Sequence, residues 1–192
     1  MKLLEYEAKA LLKMHGITVP QPFIATGQPP AFLPAVLKSQ VPTGGRGKAG
    51  GVVIVQTQDE YDAAIKKLQQ LEIKGFLPQT ILGEQLLDIQ RELYLSLMID
   101  KAAASIMLMA HATGGVEVED NKSEEFLRLL VDGKNTESVG QQLAEYYDLP
   151  DKTFVLQDMV EQLFTLFNKQ DASLLEINPL VLTTDGNLVA GD

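Results

Sequence analysis

The spacing of apolar and polar positions divides the chain into short helices and short strands. Leu3, Leu4, Ala8, Leu11 and Met14 fall at near-helical intervals and Gly16 follows as a natural stop, so an amphipathic opening helix is predicted. Prolines at 20 and 22, and again at 29, 30 and 34, interrupt any helix there and leave room for a short strand at 23–26. Two apolar runs, 36–41 and 52–56, flank a glycine cluster and read as strand, loop, strand. Residues 57–60 carry a capping-box signature, and Tyr61, Ala64, Ile65, Leu68 and Leu71 form one helical stripe ending near Gly75.

From 80 to 112 the pattern is strand-like: TILGEQLL, ELYLSLMID and ASIMLMAHA, with Asp100 and Lys101 at a turn, read as neighbouring strands of a mostly antiparallel sheet. Residues 123–131, 138–147 and 153–167 are predicted helical. In the last of these, Leu156, Met159, Val160, Leu163, Phe164 and Phe167 form the buried stripe. The closing segment SLLEINPLVLTTDGNLVAGD alternates like a hairpin around Asp185-Gly186. The class is α+β, with two lobes dividing near 75–80.

Composition narrows the function. With 192 residues, 45% of them hydrophobic, the chain can bury a sizeable core. Its 16 Lys and Arg stand against 26 Asp and Glu, a net charge of -10 that repels a nucleic-acid backbone or an anionic membrane. A small polyanion differs, because a few clustered cations and backbone N–H groups override a diffuse field at short range. The absence of cysteine excludes disulfides, thiolate metal sites and thiol nucleophiles. No apolar run approaches the roughly 18 residues of a membrane span, so a soluble, cytoplasmic protein is expected.

Residues 44–51, GGRGKAGG, concentrate Arg46 and Lys48 among five glycines. Glycine lets backbone N–H groups converge on an anion, and the cations neutralise its charge; each charge-assisted hydrogen bond is worth about 1.5–3 kcal/mol. The spacing is neither that of a P-loop nor that of a dinucleotide fingerprint, and the following VVIVQ reads as a strand. Such a loop clamps phosphates as a flap or is a solvated hairpin tip. Lys38 favours the flap, because a cation inside the apolar run AVLKSQV needs an anionic partner.

Nucleotide-bound magnesium needs hard oxygen ligands. LLEINPLVL places Glu176 and Asn178 on one strand face, with Ile177 opposite. If 184–186 form a three-residue loop with left-handed Gly186, Thr183 pairs with Asn187 and Asn178 faces Asp192; a two-residue loop would shift the register and scatter these oxygens. Glu84 and Glu92 are acids amid apolar strands, suited to an adenine amine and a ribose hydroxyl, or else ordinary strand-edge charges. His15 and His111 are far apart and read as structural. TGGVEVED, from Thr113, is either a turn near a cleft or a plain strand connection.

Together these segments resemble the succinyl-CoA synthetase β family along almost the whole chain: LLEYEAKALL with GITVPQP, GGRGKAGGV, ELYLSLMID, ATGGVEVE and LLEINPLVLTTDG occur in family order. The resemblance implies an ATP-grasp fold over 1–192, α+β, with two lobes of mostly antiparallel sheet and flanking helices. It implies that Lys38 and the backbone of Gly45, Arg46 and Gly47 hold the ATP phosphates, that Glu84 and Glu92 hold the adenosine with Leu87 contributing through main chain, and that Asn178 and Asp192 hold Mg. Glu176 would face the active-site histidine loop of a partner α subunit. The implied reaction, a step of the tricarboxylic acid cycle, forms succinyl-CoA, ADP and phosphate from succinate, CoA and ATP through a phosphohistidine on that subunit. Malate-CoA ligase and ATP-citrate lyase relatives share the same motifs, and a non-catalytic nucleotide-binding or interaction module is the alternative of another class.

The sequence also departs from the family pattern. Residues 24–37 are shorter than in the family and lack its helix and an acidic residue that helps receive the histidine loop. Thr113 stands where the family usually has Glu, and Gly191 where it has an apolar residue; Pro20 resembles the ATP-using type. The family continues beyond the position matched by Asp192 into a CoA-ligase domain absent here, so an incomplete chain, inactive alone in the full reaction, is expected.

Overall fold

Strands joined by short turns pair antiparallel, and every strand pairing among the described residues does so. The computed structural model describes residues 2–115 and 125–192. Two compact units emerge, one of Met1–Ala10 with Pro20–Asp88, the other of Leu11–Val19 with Ile89–Asp192.

The first unit is built on a four-stranded sheet of β1 (Pro22–Ile24), β2 (Ala35–Gln40), β3 (Val52–Val55) and β4 (Thr80–Gln85), ordered β1-β4-β2-β3. Strand β2 lies inside the sheet and is covered on both faces, which explains its almost unbroken burial. Ala35 and Leu37 join the apolar core with Tyr61, Ala64, Ile65 and Leu68 of helix α2 (Gln58–Gln69). Thr57 caps α2 by accepting from the Glu60 N–H at 3.3 Å, and the Glu60 carboxylate returns to the Gln56 N–H at 2.7 Å, one residue earlier than a strict capping box. Lys38 and Gln40 point to the other face, toward the first turn of α1 (Glu5–Met14).

Helix α1 corrects the predicted stripe. Met14 is 77% exposed, whereas Lys9 is only 4% exposed. The buried face of the first two turns is organised by ion pairs, which a search for apolar periodicity passes over. Leu12 and Ile17, farther along, belong to the core of the second unit.

The division falls between Asp88 and Ile89, not at 75–80, because β4 is bonded to β1 and β2 and therefore belongs to the first sheet. For the same reason β4 is not a neighbour of the next two strands, contrary to the single sheet expected over 80–112. Residues 25–34 carry neither helix nor strand.

The second unit holds a five-stranded sheet ordered β7-β6-β5-β8-β9, from β5 (Ile89–Asp100), β6 (Ser105–His111), β7 (Leu127–Val131), β8 (Leu174–Thr183) and β9 (Leu188–Ala190). Leu93, Leu95 and Leu97 alternate onto one face and pack with α3 (Thr136–Tyr146) and α4 (Thr153–Lys169). The predicted stripe of α4 is buried at Leu156, Met159, Val160, Leu163 and Phe167, with Phe164 packed against the same core. A helix expected over 123–131 is corrected at 127–131: Leu127, Leu129 and Val131 alternate inward, and pairing with β6 at the sheet edge outweighs helical propensity. The start of that segment, Ser123 and Glu124, lies outside the described residues, as do 116–120 of TGGVEVED. Among the described residues no helix is long and apolar enough to cross a membrane.

Candidate functional site

Within the first unit, β2 and β3 form the expected hairpin around the glycine loop, with Lys38 opposite Val52. The loop folds on its own backbone: the Ala49 N–H donates to Gly45 O at 3.1 Å and the Gly51 N–H to Arg46 O at 2.8 Å. Gly51 packs closely, since a Cβ there would meet Ile73 Cδ1 at 2.6 Å and Arg46 O at 3.2 Å and would require the Ile73 side chain to shift. Gly44, Gly45, Gly47 and Lys48 are exposed. Arg46 instead turns inward, donating to Ser39 O at 3.2 Å and pairing with Glu5 Oε2 at 2.6 Å.

Beneath the loop lies a closed ring of alternating charge. Glu5 Oε1 receives Lys38 Nζ at 2.8 Å and Lys9 Nζ at 2.7 Å; Glu84 receives Lys9 at 2.6 Å through Oε1 and Lys38 at 2.7 Å through Oε2. Lys38 is 8% exposed and Glu84 1%. Burial alone would raise the Glu5 pKa, but the combined charges of Lys38, Lys9 and Arg46 outweigh it and hold the carboxyl well below its usual range. Burial, then the neighbouring Lys38 charge, lowers the Lys9 pKa against the opposing pull of Glu5 and Glu84. Gln40 extends the network, its amide donating to Glu5 Oε2 at 3.3 Å and its oxygen accepting from the Tyr6 N–H at 3.2 Å.

The structure therefore supplies the anionic partner that Lys38 requires, and that partner comes from the chain itself. Glu84 lies beside Lys38, with both oxygens engaged by lysine. Leu87 is half-buried on the 86–88 connector that follows β4. Sequence reading missed Glu5 and Lys9. Their signal was present, an acid and a base four apart on one helix face, but it resembles an ordinary surface pair.

In the second unit the closing hairpin has the predicted register: Leu180 pairs with Ala190, the Thr183 N–H donates to Asn187 O at 2.9 Å, and Gly186 adopts φ 82°. The Asn178 N–H donates to Asp192 O at 3.0 Å, so these two residues are neighbours. Strand β8 carries an extra residue here relative to β5, since Leu93 pairs with Leu180 but Leu95 with Ile177. Such a bulge re-aims side chains, and the Asn178 Oδ1 accepts from the Gly115 N–H at 2.6 Å. Gly114 sits so close to β5 that a Cβ would fall 2.2 Å from Leu93 O.

Glu92 and Glu176 are both exposed on this sheet. Glu92 O accepts from the Gly114 N–H at 2.8 Å, and Glu176 pairs across the ladder with Ser96. Burial raises the pKa of Tyr94, the Ser96 hydrogen bond works against it, and the Glu176 charge adds to it. Among the described residues no three of His, Asp and Glu gather to hold a metal alone. Asn178 on β8 and Asp192, two residues beyond β9, carry hard oxygen donors of the kind a nucleotide-bound magnesium takes, one or two from the protein beside phosphate and water. His15 Nδ1 lies 3.0 Å from Leu11 O and His111 Nδ1 lies 2.9 Å from Thr113 O.

A model of the ATP-grasp domain matches residues 2–182. Curated relatives include proteins named succinate–CoA ligase [ADP-forming] subunit beta from Methanocaldococcus jannaschii, 34% identical, and Thioalkalivibrio sulfidiphilus, 39% identical. Each alignment covers 100% of this chain, but only 56% and 55% of the respective relative, so the chain spans about half their length. A crystal structure from Pyrococcus horikoshii superposes with a TM-score of 0.80 at 21% identity, covering 99% of this chain and 88% of that one. An ATP citrate lyase from Methanothrix soehngenii gives a TM-score of 0.71 at 20% identity, covering 98% and 48%. At those identities the likeness shows a common fold.

Proposed function

Because the chain belongs to the ATP-grasp family, we propose that it is the nucleotide-binding part of an ADP-forming succinate–CoA ligase β subunit. The observation that carries this reading is Lys38, a lysine held by carboxylates on a buried strand under a glycine-and-arginine loop. ATP-grasp ligases use ATP, and the curated relatives at 34–39% identity bear the name of this ligase subunit.

In this reading Lys38 and the backbone of Gly45, Arg46 and Gly47 bind the phosphates, with Glu84 acting through its bond to Lys38 and Leu87 meeting the nucleotide through main chain; Glu92 takes a ribose hydroxyl, and Asn178 with Asp192 offers oxygens to the metal. Asn178 and Asp192 would hold a magnesium ion, which when bound would neutralise phosphate charge. The cations steady charge spread over the moving phosphoryl group, which is the main task in such transfers.

The γ-phosphoryl passes to a histidine of a partner α subunit: the bond from phosphorus to the β–γ bridging oxygen breaks, ADP departs with the electron pair, and an imidazole nitrogen bonds to phosphorus. Glu176 faces that histidine. Succinate then accepts the phosphoryl group, and the CoA thiol displaces phosphate to give succinyl-CoA. The setting is cytoplasmic.

Calorimetric titration with Mg-ATP tests the reading. The wild-type chain is expected to bind, and Lys38→Ala to weaken binding by about tenfold or more through loss of a charge-assisted bond. Absence of binding by a folded wild-type chain, or equal affinity in the variant, would refute it.

A further inference from the structure

We propose that Glu5 is a positioning residue for the phosphate-binding cations, holding Lys38 and Arg46 in fixed relation through the two oxygens of one carboxylate. The inference rests on the reading of Lys38 and the glycine loop as the phosphate site.

Glu5 Oε1 takes Lys38 at 2.8 Å and Oε2 takes Arg46 at 2.6 Å. The Glu5 side chain is 5% exposed, so solvent competes little for either bond. Lys38 stands on β2, whereas Arg46 stands on a loop in which Gly45 and Gly50 adopt φ 84° and 78°. A glycine-rich loop has much backbone freedom to lose, and phosphates arriving at an unheld loop must supply that ordering themselves. Arg46 is the side chain through which the ring reaches the loop, and Glu5 is the ring member it grips. Lys9 completes the arrangement from the same helix, holding Glu84 against the far side of Lys38.

The placement of Glu5 is itself fixed. The Glu5 carboxylate also accepts from Gln40, whose amide donates to Lys38 O at 3.2 Å, so the first turn of α1 is locked to the strand that carries Lys38. An isolated buried carboxylate would be unstable in its charged form, and the three surrounding cations overcome that penalty. The charge of Glu5 therefore persists throughout the neutral range.

Glu5→Gln keeps the shape and removes the charge. Its Mg-ATP affinity is expected to fall about tenfold or more, as loss of charge-assisted contacts implies, while adenosine binding followed by NMR stays within about twofold, since adenosine carries no phosphate for Lys38 or Arg46 to meet. Trypsin should also cut after Arg46 severalfold faster. Equal losses for ATP and adenosine would mean a structural role and overturn the proposal, as would unchanged ATP affinity. If Glu5→Gln does not fold, Glu5→Asp retains the charge with a shorter reach; a selective ATP loss in that variant supports the proposal, and wild-type affinity or an equal loss of both ligands overturns it. Failure of the wild-type chain to bind Mg-ATP sinks the phosphate-site reading and this inference together, whereas wild-type binding with an unaffected variant sinks this inference alone.

Discussion

The sheet of the first unit meets helix α1 through Lys38 of β2, Glu84 of β4, and Lys9 and Glu5 of the helix, whereas strand β5 of the second meets helix α4 through Leu93, Leu95, Leu97 and the apolar stripe of that helix. Among the described residues the buried charges all belong to the first unit; the second buries Ser96, His111 and Thr183 as its polar members. Apolar packing is non-directional and tolerates small shifts, so it suits a scaffold. A buried ion network gives less stability than apolar residues of the same volume would, and it stands only when every member is paired. Its presence beside the glycine loop, in the unit with the smaller apolar cluster, marks where structure has been committed to handling charge.

The contrast breaks most visibly at Glu84. Glu84→Ala leaves Lys9 and Lys38 facing each other with Glu5 alone, and a cost of about 3–5 kcal/mol is expected. Hydrogen exchange read separately in β2 and β5 should show the loss in β2, because local stability is set unit by unit. A loss below about 1 kcal/mol would place the ring among ordinary surface pairs.

Acid titration sharpens the same contrast with a smaller effect. The folded-state pKa of Glu5 lies below its ordinary value of 4.5, so its contribution is complete above that value and fades as pH falls toward the folded pKa. Amides of β2 should therefore lose protection progressively below about pH 4.5, and Glu5→Gln should flatten that dependence. Identical acid profiles in the wild type and the variant would count against the assignment.

The smallest effect is expected at Ser39, whose hydroxyl is fully buried on β2 and finds no hydrogen-bond partner among the described residues. Ser39→Ala removes an unsatisfied group and should raise stability by about 1 kcal/mol, measured by urea denaturation. Destabilisation would show that the hydroxyl has a role that the first unit's geometry does not reveal.

Much of this arrangement was legible beforehand where the signal is local. The glycine loop between two strands, the Thr57 cap, the stripe of α4 and the register of the closing hairpin each follow from a few adjacent residues and standard backbone geometry. Asn178 beside Asp192 was predictable because one turn type sets every pair along the ribbon. The bulge at Asn178 was not, since it depends on how β8 matches β5, a strand far away in sequence. Residues 127–131 were misread for a similar reason: their apolar spacing suits a helix as well as a strand, and the exposed edge of β6 decides the matter.

Residue order alone settled the family membership and the mostly antiparallel α+β plan, and it singled out the residues proposed for phosphate and metal. Which sheet claims β4, and which partners Lys38 and Arg46 take, were decided by the fold. Periodicity reports a residue's own face, but the pairing of Glu5 with Lys38, and of Lys9 with Glu84, requires segments 33 and 75 residues apart to meet. Charge at such a meeting is held by distance and burial, which no local pattern encodes.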